Sequence, residues 1–223
     1  MKPFLILLAG LLFTSALSQN EKFILGLRGG ASKTYFLGQQ GSNSKTYGLS
    51  GALSMQYNLG KHFAFVSCPA FEQGRPDFTA TFANLPFMPV FKSVNLKLNY
   101  VSLPLLLRAY YGNKIRVYSD MGVFVTGLYN ATCLINTGYN TYTEDYTAFF
   151  TRYNYGAVFA LGAQYKTGNI MFSAGAEGCL ALNNAFNQPK ESGFISPATR
   201  IAGLSLSFGI SYCFGETKNR PSD

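Results

Sequence analysis

From Tyr47 to Leu59 the chain reads YGLSGALSMQYNL, and its side chains fall into two sets that alternate residue by residue. Tyr47, Leu49, Leu53, Met55, Tyr57 and Leu59 share one parity, while Gly48, Ser50, Ala52, Ser54, Gln56 and Asn58 share the other. Successive side chains of an extended strand point to opposite sides, so the pattern is a strand with one oily face. The same rhythm closes the chain, where Leu204, Leu206, Phe208, Ile210, Tyr212 and Phe214 interleave with Ser205, Ser207, Gly209, Ser211 and Cys213. Neither oily face carries a charge. A soluble strand puts Lys, Glu or Thr on its outward side; an apolar side set against small residues is what a narrow barrel needs when lipid surrounds it.

Eight such segments can be marked, at about 22–30, 47–59, 61–73, 95–111, 114–128, 153–166, 169–182 and 200–214. Three connections are tight Gly/Asn/Lys turns, at Asn58 to Lys61, Gly112 to Lys114 and Lys166 to Asn169, suited to hairpins. The others, 31–46, 74–94, 129–152 and 183–199, are long and polar. Short turns at one end and long loops at the other, joining an even number of antiparallel strands, are the plan of an eight-stranded antiparallel transmembrane β-barrel. Strands of nine or more residues cross a bilayer when tilted.

Residues 1–18 read as a removable leader, with Lys2 as the charged start, an apolar run from Phe4 to Phe13 and the small-x-small ending Ala16-Leu17-Ser18. Residues 19–223 are then one barrel domain with a short tail at 215–223. The net charge of +8 raises the question of nucleic acid. The basic residues are scattered singly rather than run together or interleaved with aromatics along a stripe, so no nucleic-acid partner is expected. Cations at strand ends suit the phosphates of outer-membrane lipid and lipopolysaccharide instead.

By the same parity the few charges within strands point inward: Arg28, Glu72, Arg108, Arg116, Asp120 and Glu177. Charges removed from water persist when paired, so a lumenal network is expected in which Arg108 and Arg116 flank Asp120. Such a network fills the barrel instead of conducting; the alternative is a narrow channel. Cys68, Cys179 and Cys213 fall in strand-like segments and Cys133 in a loop, with no CxxC, so free thiols are expected rather than a bridge. His62 is the single histidine and falls in a turn, and no GxSxG surrounds a serine. No metal, cofactor or enzymatic activity is expected.

The loops hold more apolar surface than solvation needs. Phe78, Phe82, Phe87 and Phe91 lie in one, and Tyr139, Tyr142 and Tyr146 in another. Exposed aromatic patches of this kind bind partners, so these residues are the candidate surface for a protein partner at the cell surface.

The stretch Tyr100-Val101-Ser102-Leu103-Pro104-Leu105-Leu106-Leu107-Arg108-Ala109-Tyr110-Tyr111 resembles the YxxIPLLLKYYF strand of PorT-like outer-membrane β-barrel proteins of Bacteroidetes-type bacteria. Leu25-Gly26-Leu27-Arg28-Gly29-Gly30, the run Tyr57-Asn58-Leu59-Gly60-Lys61 and the ending Tyr212-Cys213-Phe214 extend the resemblance over the mature chain. It implies an eight-stranded OmpX-like barrel in the bacterial outer membrane with both termini periplasmic, inserted by the barrel assembly machinery. It also implies a role as an envelope-structural, adhesion or partner-binding component, or as an accessory of a gliding-type (type IX) secretion system. The family usually carries an acidic residue where Ser102 stands and another near Cys68, and tends to end at the aromatic strand. Here the resemblance therefore implies rearranged internal ion pairs and an added tail from Gly215 to Asp223.

Overall fold

The computed structural model describes residues 22–37, 47–75, 93–136, 140–186 and 199–214. The leader at 1–18, the tail at 215–223 and the aromatic residues Phe78, Phe82, Phe87, Phe91 and Tyr139 lie outside the described residues. Ten strands are present among those described: β1 Phe23–Leu37, β2 Gly48–Asn58, β3 Phe63–Ser67, β4 Ala70–Gly74, β5 Ser93–Tyr111, β6 Ile115–Asn136, β7 Thr141–Asp145, β8 Tyr153–Thr167, β9 Ile170–Ala181 and β10 Arg200–Phe214.

Every described strand pairs antiparallel, and the pairing returns to its start. β1 lies between β10 and β2; β10 continues through β9 and β8 to β6, β6 pairs β5, and β5 meets β2 through β3 and β4. β3 and β4 are two halves of one stave, broken at Cys68–Pro69 where proline has no N–H for the ladder. The ring thus has eight staves, the number whose interior is just filled by side chains. Closing the ring leaves no edge in the spanning region.

Alternation places the two sets as the sequence predicts. Leu27, Leu53, Leu103, Met121, Phe159, Leu206 and Phe208 all stand exposed on the outside. Near the short turns the outside carries Tyr57, Phe63, Tyr111, Tyr165 and Tyr212; toward the long loops it carries Tyr47, Tyr129, Tyr153 and Tyr155. These are two aromatic collars bounding an apolar band, as expected where a barrel meets the two interfaces of a bilayer.

Small lumenal residues make room for large ones on neighbouring staves. A Cβ on Gly162 or Gly175 would strike the Tyr118 hydroxyl, and one on Gly156 would come within 2.8 Å of the Phe124 ring. Glycine suits these positions because Tyr118 and Phe124 of β6 lie over their register partners Gly162 and Gly156 on β8, with Gly175 of β9 next in line, and the Ala174 and Leu180 carbonyls come as close. At Gly112 and Gly168 the need is conformational, since both turns take positive φ, at 116° and 58°.

The staves are longer at the loop end than the alternation predicts. β1 runs on to Leu37 rather than stopping near residue 30, and β6 extends to Asn136 rather than 128. The cause on β6 is a bulge. Asn99 pairs with Asn130 and Tyr100 with Leu128, so Tyr129 is left over and the parity changes there. Beyond it Ala131 and Cys133 turn inward and are buried. Cys133, expected in a loop, is therefore a strand residue. β7 then pairs with residues 132–136 of β6, while residues 93–99 of β5 flank the other side. The three form a sheet that continues past the ring.

Candidate functional site

Two regions could carry function, the lumen and the sheet that projects from it. The lumen is stacked in layers. Nearest the short turns, Ile24, Met171 and Cys213 form an apolar floor. Above it Arg108 on β5 faces Asp120 on β6 in direct register. Its Nε and Nη2 donate to Oδ1 and Oδ2 at 2.7 Å each, a bidentate clamp. Its Nη1 donates to Gln56 Oε1 at 2.8 Å, and Gln164 Nε2 donates to the same oxygen at 3.3 Å. The guanidinium carbon lies over Tyr118, 3.9 Å from the ring centroid.

Arg108, Asp120, Gln56 and Gln164 are 5%, 0%, 3% and 3% exposed. Lumenal side chains facing an open aqueous pore would be wetted, and these are not. Around them pack Ala64, Val66, Leu106, Tyr110 and Phe124.

The sequence-predicted charges divide between two levels. Arg108 and Asp120 meet as described, but both Asp120 oxygens are taken by Arg108. Arg116 instead stands at the turn, its Nε donating to the Asn113 carbonyl at 3.1 Å and its guanidinium 5.4 Å from the Tyr110 centroid. The expected flanking of Asp120 by both arginines is thus corrected to one clamp and one residue at the mouth. Arg116 sits at the first turn of its strand, where the hairpin carbonyls lie within its reach. Glutamines 56 and 164 complete the layer and were passed over because neither is charged. Their signal was a long polar side chain at inward parity among small residues.

Arg28, Glu72 and Glu177 meet at the second level, around a chamber of about 100 Å³ also lined by Cys68, Cys179, Ser102 and Ser207. Arg28 Nε donates to Ser207 Oγ at 2.6 Å, and Nη2 lies 3.5 Å from Glu177 Oε2. All four cysteines are free. The chamber is too small for a drug-sized ligand and has room for several waters.

Among the described residues an apolar roof lies on the loop side of the chamber. Phe36, Leu96, Leu98, Tyr100, Leu128, Ala131, Cys133, Phe150 and Ala185 are buried together. Phe36, Phe150 and Phe186 contact one another with centroids 6.4, 5.6 and 5.0 Å apart. The backbone laces this roof together: Thr151 N donates to Ala185 O at 2.9 Å and Ala185 N to Thr199 O at 2.7 Å. None of these residues is charged, so the roof holds by packing.

The sheet of β5, β6 and β7 supplies Leu96, Leu98, Ala131 and Cys133 to this roof from its inner face and continues past it. All five residues of β7 are exposed. Tyr142, one of the residues expected to bind a partner, is 50% exposed, and Asn140 Nδ2 donates to its hydroxyl at 3.1 Å. Tyr146, another, is drawn inward against the roof, with its ring 5.3 Å from Phe149. Phe149, from the same aromatic stretch of sequence, is exposed. Asp145 accepts both the N–H and the hydroxyl of Thr147, which holds its carboxyl below the usual carboxylate range and fixes the helical turn Thr147–Phe149. His62 sits in its short turn, stacked 6.0 Å from Tyr111.

A family model described as outer membrane protein beta-barrel domain matches residues 17–187. Among solved structures the chain is similar to the outer membrane protein OprG from Pseudomonas aeruginosa, at 15% identity and a TM-score of 0.52 over 87% of this chain and 96% of that one. It is also similar to Ail, the attachment invasion locus protein of Yersinia pestis, at 11% identity and a TM-score of 0.44 over 86% of this chain and 99% of that one. No curated protein matches the sequence. At 15% identity the likeness to OprG speaks to the fold alone.

Proposed function

The chain belongs to the outer membrane protein beta-barrel domain family, and on that premise we propose that it is a closed barrel that works as a surface-binding or adhesion component through its long-loop end. The carrying observation is the pairing of a filled lumen with a projecting sheet. Three stacked layers occupy the bore, while β7 and Phe149 present exposed side chains beyond it. Side chains packed to this extent support scaffolding over passage. The reading places the long loops outside the cell and the short turns, with both ends of the mature chain, in the periplasm.

A photo-crosslinking side chain at Tyr142 tests it in intact cells, with Val123 on the lipid face as control. A discrete protein adduct is expected at Tyr142 and none at Val123. Absence of any adduct at both Tyr142 and Phe149 would overturn the reading.

A second reading, an accessory part in a gliding-type secretion system, is favoured by the PorT-like stretch from Tyr100 to Tyr111, which carries Arg108. Loss of secreted client proteins on deletion, with Tyr142 adducts absent, would select it. No reaction is assigned in either reading.

A further inference from the structure

We propose that the outer face of β1, between β2 and β10, binds one phosphorylated glycolipid of the outer leaflet, with its phosphate on Lys33. The inference takes the long-loop end as the outside and is otherwise independent of any protein partner. Lys33 has outward parity on β1, opposite Leu204 of β10. Its ammonium lies 5.6 Å from the Tyr35 ring centroid and 5.9 Å from that of Tyr47, so two aromatic faces fix its position. Among the described residues the exposed carboxylates are Glu144 and Asp145 on β7, which is carried by β6 on another part of the ring. Nothing described near Lys33 neutralises it. Arg200 adds a second cation at the same rim, opposite Leu37.

Directly below Lys33 the same face becomes apolar. Ala31 lies between Leu49 and Leu206, and Gly29 between Gly51 and Phe208. Leu49, Leu206 and Phe208 are 68%, 61% and 70% exposed, so they stand up as walls. Between them the surface is low: a Cβ on Gly51 would meet nothing within 4 Å, and one on Gly29 would come only to 3.8 Å of a carbonyl. From Lys33 to Leu27 this track runs about 20 Å along the strand. A fixed cation at the interface, heading an apolar track toward the bilayer centre, is complementary to an anionic headgroup carrying acyl chains. The aromatic collar places Lys33 at the depth of headgroup phosphates.

The test uses the full mature barrel purified in detergent, each variant first shown to be folded by heat-modifiable migration. Retention of phosphorylated lipid A is read by native mass spectrometry for the wild type, Lys33→Gln and Gly51→Leu. Wild type is expected to retain one lipid, Lys33→Gln to lose about fivefold in affinity, and Gly51→Leu to weaken binding by filling the track. Dephosphorylated lipid A should bind wild type no better than phosphorylated lipid A binds Lys33→Gln. Equal retention by wild type and Lys33→Gln would overturn the site. Equal retention of phosphatidylglycerol would overturn its assignment to glycolipid.

Discussion

Arg108 and Asp120 are where a single substitution has the most to disturb. A carboxylate with no exposure, stripped of its guanidinium, is an uncompensated buried charge. Arg108→Met alone should therefore cost about 3–5 kcal/mol of stability. Arg108→Met combined with Asp120→Leu should recover most of the loss, because no lone charge remains. Urea unfolding in lipid vesicles reads both; a double variant as unstable as the single would show that the clamp is not the source. Charge and parity alone made this pair legible in the sequence. The glutamines beside it were not legible, since an amide at inward parity looks like any polar residue until the arginine is seen to need a further acceptor. Arg116 was misplaced for a related reason: parity sets the side of a strand but not the level along the bore.

Among the elements, β6 shows both the strength and the limit of reading alternation. Up to Leu128 its side chains keep the two-residue rhythm, and the predicted strand ends where that rhythm fails. The chain goes on as strand, with Tyr129 as the extra residue of a bulge. A bulge preserves the ladder while reversing parity, so a rule built on parity reads it as an ending. Deleting Tyr129 should leave an unbroken alternation from Leu128, with Asn130 and Thr132 outward and Ala131 and Cys133 still inward. Cys133, 5% exposed, should therefore stay protected from a membrane-impermeant maleimide on whole cells both with Tyr129 and without it. Labelling of the deletion variant would contradict the register. The extension of β1 to Leu37 was hidden similarly, because Ala31, Ser32, Lys33 and Thr34 read as loop when the oily parity thins.

At the scale of the whole molecule, the sequence carries the ring and little of its ends. Eight alternating staves, tight turns at one end and uncharged outward faces suffice for a lipid-embedded barrel, because a barrel wall is a local pattern repeated. The roof is not local. Phe36, Phe150 and Phe186 come from β1, the segment after Thr147–Phe149 and the segment after β9, and only closure of the ring brings them together. Their packing lies on the loop side of a chamber whose other side is shut by the layer of Arg108, Asp120, Gln56 and Gln164, each 5% exposed or less. Planar-bilayer recording of the folded barrel tests that closure most directly. The account predicts a baseline without resolvable conductance steps on either side of zero voltage. Stable, ohmic steps from the wild-type protein would contradict it.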